Sequence, residues 1–128
     1  SKKMLAYLST HEALLSPDQE YTVFNTQSAL PPRAKAALGK DIVEQYYREE
    51  ADKVLAPVGK FLKRHGINAK LESKVGPAGA TIAKQADSGK YDLLIMGSHG
   101  HSALGNLVMG SVTTQVLAHC KTPVLLVR

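Results

Sequence analysis

The stretch from Gly97 to Ser111 concentrates residue types that can hold phosphate: glycines at 97, 100 and 110, hydroxyls at Ser98, Ser102 and Ser111, and imidazoles at His99 and His101. Gly97 and Gly100 permit tight backbone turns and close approach of the chain to a ligand. Successive backbone N–H groups can then face one concavity and hold anionic oxygens. Gly110-Ser111 stands where the next helix is predicted to begin, and the free N–H groups and dipole of a helix start favour an anion. His99 and His101 donate hydrogen bonds and become cationic as pH falls. The pattern is not a Walker loop, because no Gly-Lys-Ser/Thr follows, nor a dinucleotide G-x-G-x-x-G. On spacing alone it reads either as a phosphate cradle or as ordinary turn chemistry after a strand, with the serines as local caps.

Charge placement favours the cradle. The net charge is +5, and all eleven carboxylates lie at or before Asp92. Beyond it come only Lys121, Arg128, His99, His101 and His119 as charged or titratable side chains besides Cys120. An acid-free segment does not repel phosphate, and it has no carboxylate to act as a base or hold a metal. Between Met96 and Cys120 there is no Lys, Arg, Asp or Glu. Phosphoryl transfer needs strong charge stabilisation, and neither histidine has a carboxylate orienter nearby in sequence. The expectation is therefore binding without catalytic residues, with at most slow hydrolysis. The basic residues are scattered and not interleaved with aromatics, which argues against nucleic acid.

The elements that must position this stretch follow from periodicity. Residues 3–8, Lys-Met-Leu-Ala-Tyr-Leu, form an apolar run that fits a first buried strand. Ser9 or Thr10 would then cap a short helix ended by Pro17 and Asp18, the crossover being short enough for that helix to be stunted. Residues 21–26 are rich in β-branched and aromatic types and predict a second strand. Pro31-Pro32 predicts a loop. Residues 41–65 predict the longest helix, with Val43, Tyr47, Val54, Val58 and Phe61 on its apolar face beside Leu55 and Leu62. Pro57 predicts a kink or a break in it, and Gly66 its stop. Residues 69–75 predict an edge-type strand, 78–87 a short helix with Ile82 and Ala86 on one face, 91–96 a buried central strand, 112–119 a helix and 123–127 a last strand. Strands alternating with helices imply an α/β fold with a parallel sheet, here of five strands.

With 128 residues, 44% hydrophobic and 21% charged, the chain is expected to form one folded domain, 1–128. No apolar run has the length of a membrane span, and the N-terminal residues lack a signal-peptide pattern, so the expected compartment is the cytoplasm. The single cysteine, Cys120, reads as a small apolar residue near a helix end or as a reactive thiol favoured by Lys121 and His119. His11 reads as a cap or surface residue, or as a ligand contact.

The spacing Gly97-x2-Gly100-x9-Gly110-Ser111 resembles the G-x2-G-x9-G-(S/T) motif of the universal stress protein family. The flanks are similar too: Tyr91 to Met96 before it, Leu117 to Val127 after it, and upstream Val75-Gly76-Pro77 and the Tyr46 to Leu62 helix. The resemblance covers residues 21–128. It implies a three-layer sandwich with a five-stranded parallel sheet, of the adenine-nucleotide α-hydrolase-like type, and a nucleotide-linked stress-response regulator that binds ATP, with or without Mg2+. By carry-over Gly97, Gly100, Gly110 and Ser111 hold phosphates and ribose, and Ser98, His99, His101, Ser102, Ala103 and Val112 line the pocket. The family's final strand commonly pairs across a dimer axis, which implies a homodimer through residues 123–127. At the N-terminus the pattern departs. Ser9 stands where ATP-binding members carry an aspartate after strand one, and Thr26 takes the apolar position near the base. The alternative is an interaction protein with a vestigial loop.

Overall fold

The computed structural model describes residues 2–11, 18–97 and 110–127. They divide into two compact units: one from Ser1–Ser16 and Ala78–Arg128, the other from Pro17–Pro77.

The second unit is a parallel strand pair carried on a long helix. Strand β1 (Thr22–Gln27) runs parallel to β2 (Lys70–Val75), in register from Thr22 opposite Lys70 to Gln27 opposite Val75. Between them come α2 (Pro32–Leu38) and α3 (Lys40–Arg64), and α3 packs on both strands. Pro32 does not continue the loop predicted for Pro31-Pro32. It opens α2, where its missing N–H has no intrahelical partner to lose. Two bonds tie β1 and the turn after it to α3: the Gln27 amide donates to the Tyr47 carbonyl at 2.7 Å, and the Tyr47 hydroxyl accepts from the Leu30 N–H at 3.0 Å.

Helix α3 is continuous through Pro57, so the predicted break does not occur. Its buried residues Val43, Leu55 and Leu62 anchor the helix on both sides of the proline, and packing of this kind outweighs one missing backbone bond. Val54, expected on the apolar face, is half exposed instead. The acids Asp41, Glu44, Glu49, Glu50 and Asp52 precede the closing bases Lys60, Lys63 and Arg64, the order that the helix dipole favours. The helix ends as Gly66 predicts. Gly66 takes φ +77°, its N–H reaches the Lys63 carbonyl, and the Ile67 N–H reaches back to the Leu62 carbonyl, both at 3.0 Å. This pairing of bonds requires a left-handed residue after the cap, and it brings buried Leu62 and Ile67 together.

In the first unit, β3 (Leu94–Gly97) runs parallel to β4 (Val124–Val127), from Leu94 opposite Val124 to Gly97 opposite Val127. Helices α4 (Ala78–Ser88) and α5 (Ser111–His119) pack against each other through small residues. Gly79, Ala83 and Ala86 are buried on α4, where Ile82 was expected beside Ala86. Thr113 and Val116 are buried on α5. A side chain at Gly79 would overlap Gln115, so this glycine sets how closely the two helices approach.

Residues 2–10 are not a strand. They form helix α1 (Lys2–Thr10), which packs on β3 and β4. An apolar run of this length does not separate strand from helix by period. Met, Leu and Ala are strong helix formers, and no β-branched residue occurs before Thr10. The helix end is then satisfied locally. The Ser9 hydroxyl donates to the Ala6 carbonyl at 2.8 Å and the Thr10 hydroxyl to the Tyr7 carbonyl at 3.0 Å. His11 Nδ1 lies 2.7 Å from that same Tyr7 carbonyl, and its ring stacks on Tyr7 at 3.9 Å. Ser9 and Thr10 therefore close a helix instead of opening one. Among the described residues there are four strands in two parallel pairs, where the sequence predicts five.

Asp87, at the end of α4, holds the turn between α5 and β4. Its carboxylate accepts from the Lys121 and Thr122 N–H groups at 3.0 and 3.1 Å and from the Thr122 hydroxyl at 3.0 Å. Partial desolvation pushes its pKa up. The bonds from the Thr122 hydroxyl, the two backbone N–H groups and the Cys120 thiol outweigh that and hold it below the ordinary carboxylate value. A depressed folded-state pKa means stability that is present above the unfolded pKa of about 3.9 and is lost as pH falls through the folded value. The thermal midpoint of the parent should therefore drop on acidification below about pH 4. In Asp87→Asn that acid-side drop should shrink, as read by circular dichroism melts across pH 2–6.

Candidate functional site

The first turn of α5 starts without a side-chain cap. Gly110 is the N-cap residue, with φ −60° and ψ 156°, and as a glycine it offers no side-chain cap to the turn it opens. No acid lies in that turn. The first N–H groups of any helix have no intrahelical acceptor. Here the Gly110 carbonyl takes the first helical bond, from the Thr114 N–H at 3.1 Å. The N–H groups of Ser111, Val112 and Thr113 come before it in the chain, in a turn whose dipole favours an anion. Ser111 is exposed, and Gly110 and Val112 are half buried, so the turn is open to solvent.

Opposite this turn stands the end of β3. The Thr113 hydroxyl donates to the Gly97 carbonyl at 3.3 Å and so joins the last residue of the strand to the first turn of the helix. At Gly97, among the described atoms, a Cβ would meet only the Val127 carbonyl oxygen, at 3.9 Å. Among the described atoms, packing therefore leaves room for an alanine there.

The structure brings together four residues of the predicted set: Gly97, Gly110, Ser111 and Val112. Ser98, His99, Gly100, His101, Ser102 and Ala103 lie outside the described residues. Ser9 falls in the last turn of α1, with its hydroxyl engaged by Ala6, and does not follow a strand. Its position is correspondingly unlike that of a residue at a strand's carboxyl end. Thr26 lies in β1, in the other unit. Sequence reasoning missed Thr113. Its signal was weak: a hydroxyl two residues after Gly-Ser, on a short helix whose neighbouring Thr114 also carries one. Thr114 bonds locally to the Gly110 carbonyl at 3.2 Å and is exposed. Among the described residues, no group of three or more His, Cys, Asp or Glu is placed to hold a metal, and no helix is long and apolar enough to cross a membrane. Cys120 caps the end of α5, with its thiol 3.6 Å from an Asp87 carboxylate oxygen.

Comparison with known proteins gives a consistent result. The family model described as "Universal stress protein family" matches residues 6–128. The chain is 40% identical to Universal stress protein Slr1230 of Synechocystis over 74 residues, covering 58% of this chain and 26% of that protein. It is 36% identical to Universal stress protein MJ0577 of Methanocaldococcus jannaschii over 80 residues, covering 62% of this chain and 49% of that protein. The aligned stretch thus spans half or less of these relatives' lengths. In three dimensions, the solved structure of MJ0577 superposes with a TM-score of 0.70 at 27% identity, covering 99% of this chain and 88% of that one. The universal stress protein from Archaeoglobus fulgidus, solved in complex with dAMP, has a TM-score of 0.62 at 16% identity, covering 99% and 86%. At that identity the likeness is one of fold, which is α/β.

An acid placed in the first turn of α5 should substitute for an anion there. Ser111→Asp is expected to stabilise the ligand-free protein by about 0.5 kcal/mol through the helix dipole. The same change should abolish any stabilisation of the parent by millimolar inorganic phosphate. Thermal melts with and without phosphate read both effects, and they have opposite signs.

Proposed function

The chain belongs to the universal stress protein family, and from that premise we propose that it binds an adenine nucleotide, ATP, with the phosphates between the end of β3 and the first turn of α5. One observation carries the reading: a helix start whose cap residue is a glycine, tied through Thr113 to the Gly97 carbonyl at the end of β3, in a segment without acids. Free N–H groups at such a start are anion donors. The dAMP complex of the Archaeoglobus fulgidus protein supports the choice of an adenine nucleotide.

In this reading Gly97, Gly110 and Ser111 hold phosphate and Val112 lines the site. Gly100 completes the turn, and Ser98, His99, His101, Ser102 and Ala103 complete the lining. The segment offers hydroxyls and backbone groups and no carboxylate, so Mg2+ would arrive on the nucleotide and be held by its phosphates. We assign no catalytic residue. Occupancy by ATP would regulate the protein's role in the stress response, with hydrolysis at most slow. We further propose that residues 1–128 act as one domain in the cytoplasm. The proposed homodimer forms through residues 123–127, because β4 pairs only with β3 among the described residues and its other edge can accept a strand.

A second reading is an interaction protein with a vestigial loop. It draws on Ser9, which lies in the last turn of α1 with its hydroxyl bonded to the Ala6 carbonyl and does not stand at a strand end. Thermal melting in ATP separates the two. A ligand at 100 times its dissociation constant stabilises a fold by about 2.7 kcal/mol, so the midpoint should rise clearly in millimolar ATP. Gly100→Val should lose the rise, because a β-branched residue strains the turn. A flat response of the parent, with and without Mg2+, would establish the vestigial loop.

A further inference from the structure

Thr113 stands out from every other polar side chain among the described residues. It is only 3% exposed, the single buried polar residue of the described core. Hydroxyls near a helix start ordinarily bond back along their own helix or face water. Thr114 does so, through the Gly110 carbonyl. Thr113 instead reaches off the helix to the Gly97 carbonyl, a residue 16 positions earlier in the chain.

That bond joins the two described edges of the proposed phosphate site. Gly97 ends β3 and Thr113 lies in the first turn of α5. Its donor is on the same turn as the Ser111 and Val112 N–H groups, and its acceptor is the last residue of β3. The neighbourhood reinforces it from behind. Val116, one turn further along α5, is fully buried, and Gly79 lets α4 lie close against α5. The helix is thereby fixed against α4, and the Thr113 bond fixes its first turn against the strand end. Groups held in their bound arrangement before a ligand arrives cost less to order when it binds.

We infer that Thr113 is a positioning residue for nucleotide phosphate. Its hydroxyl sets the distance and angle between the end of β3 and the anion-binding turn of α5, without touching the ligand. The inference rests on the nucleotide-binding reading above. It assigns to a buried threonine, outside the glycine-serine pattern, control over how well that pattern binds.

The test compares three variants at a temperature well below every melting midpoint. Thr113→Val keeps the shape and removes the donor, which leaves the Gly97 carbonyl without this partner. Thr113→Ser keeps the donor. Gly66→Ala strains the left-handed turn after α3 and serves as a control destabilised away from the site. Calorimetric titration with ATP is expected to show binding about tenfold weaker in Thr113→Val, the scale of one lost buried hydrogen bond. Thr113→Ser should recover most of that loss, and Gly66→Ala should bind as the parent does. Inorganic phosphate as titrant should show the same order, because the effect lies on the phosphate side. Without ligand, exchange of the Thr114 amide, which is bonded to the Gly110 carbonyl, should quicken in Thr113→Val and not in Thr113→Ser. If Thr113→Val does not fold, Thr113→Ala replaces it with the same expectations. Parent-like ATP affinity in a folded, less stable Thr113→Val would reduce the residue to a structural role and overturn the inference. A parent that binds no ATP overturns the nucleotide reading itself, which is a separate and visible result.

Discussion

A helix start leaves backbone N–H groups that its own turn cannot satisfy, and the account of this protein depends on where those of α5 find acceptors. In most helices a Ser, Thr, Asp or Asn at the cap supplies one. Here glycine occupies the cap and has no side chain to offer, and no acid lies within the turn. Gly110 and Val112 are half buried and Ser111 is exposed, so water can serve there when nothing better is present. An anion serves better, and the whole segment after Asp92 lacks the carboxylates that would repel it.

The remainder of the first unit holds that turn in place. Val116, at the middle of α5, is fully buried, and α4 approaches α5 closely because Gly79 has no side chain to keep Gln115 away. At the far end of α5, Asp87 gathers the N–H groups of Lys121 and Thr122 and directs the chain into β4. β4 lies parallel to β3, whose last residue faces Thr113. A hydrophobic contact, a close helix approach, a charged anchor and one buried hydroxyl thus converge on the same short helix. The second unit has its own logic, with Leu55, Leu62 and Ile67 under α3 and a left-handed glycine to end the helix.

Much of this was legible in the residues. Strands β1 to β4 and helices α3, α4 and α5 fall within a few positions of the periodic reading, and Gly66 and the start of α5 at Ser111 were marked by their own chemistry. The failures have physical causes. Lys3 to Leu8 is apolar enough for a strand, yet its residue types favour a helix and the next three side chains satisfy its carbonyls, so α1 forms. That shift also moved Ser9 from a strand end into a helix. Pro57 breaks isolated helices, but burial of residues on both sides carries α3 through it. Thr113 was invisible because its partner is 16 residues away, and spacing along one helix does not reveal a bond that only packing against a strand creates.

The central claim is that nucleotide phosphate binds at the start of α5. The most direct measurement is a titration of the isotopically labelled protein with ATP, followed by backbone amide resonances in NMR. The account predicts the largest saturable shifts at Gly97, Ser111, Val112 and Thr113, with a smaller set on titration with inorganic phosphate. Saturable shifts that leave the Ser111 to Thr113 amides unmoved, or no shifts at millimolar ATP, would contradict it.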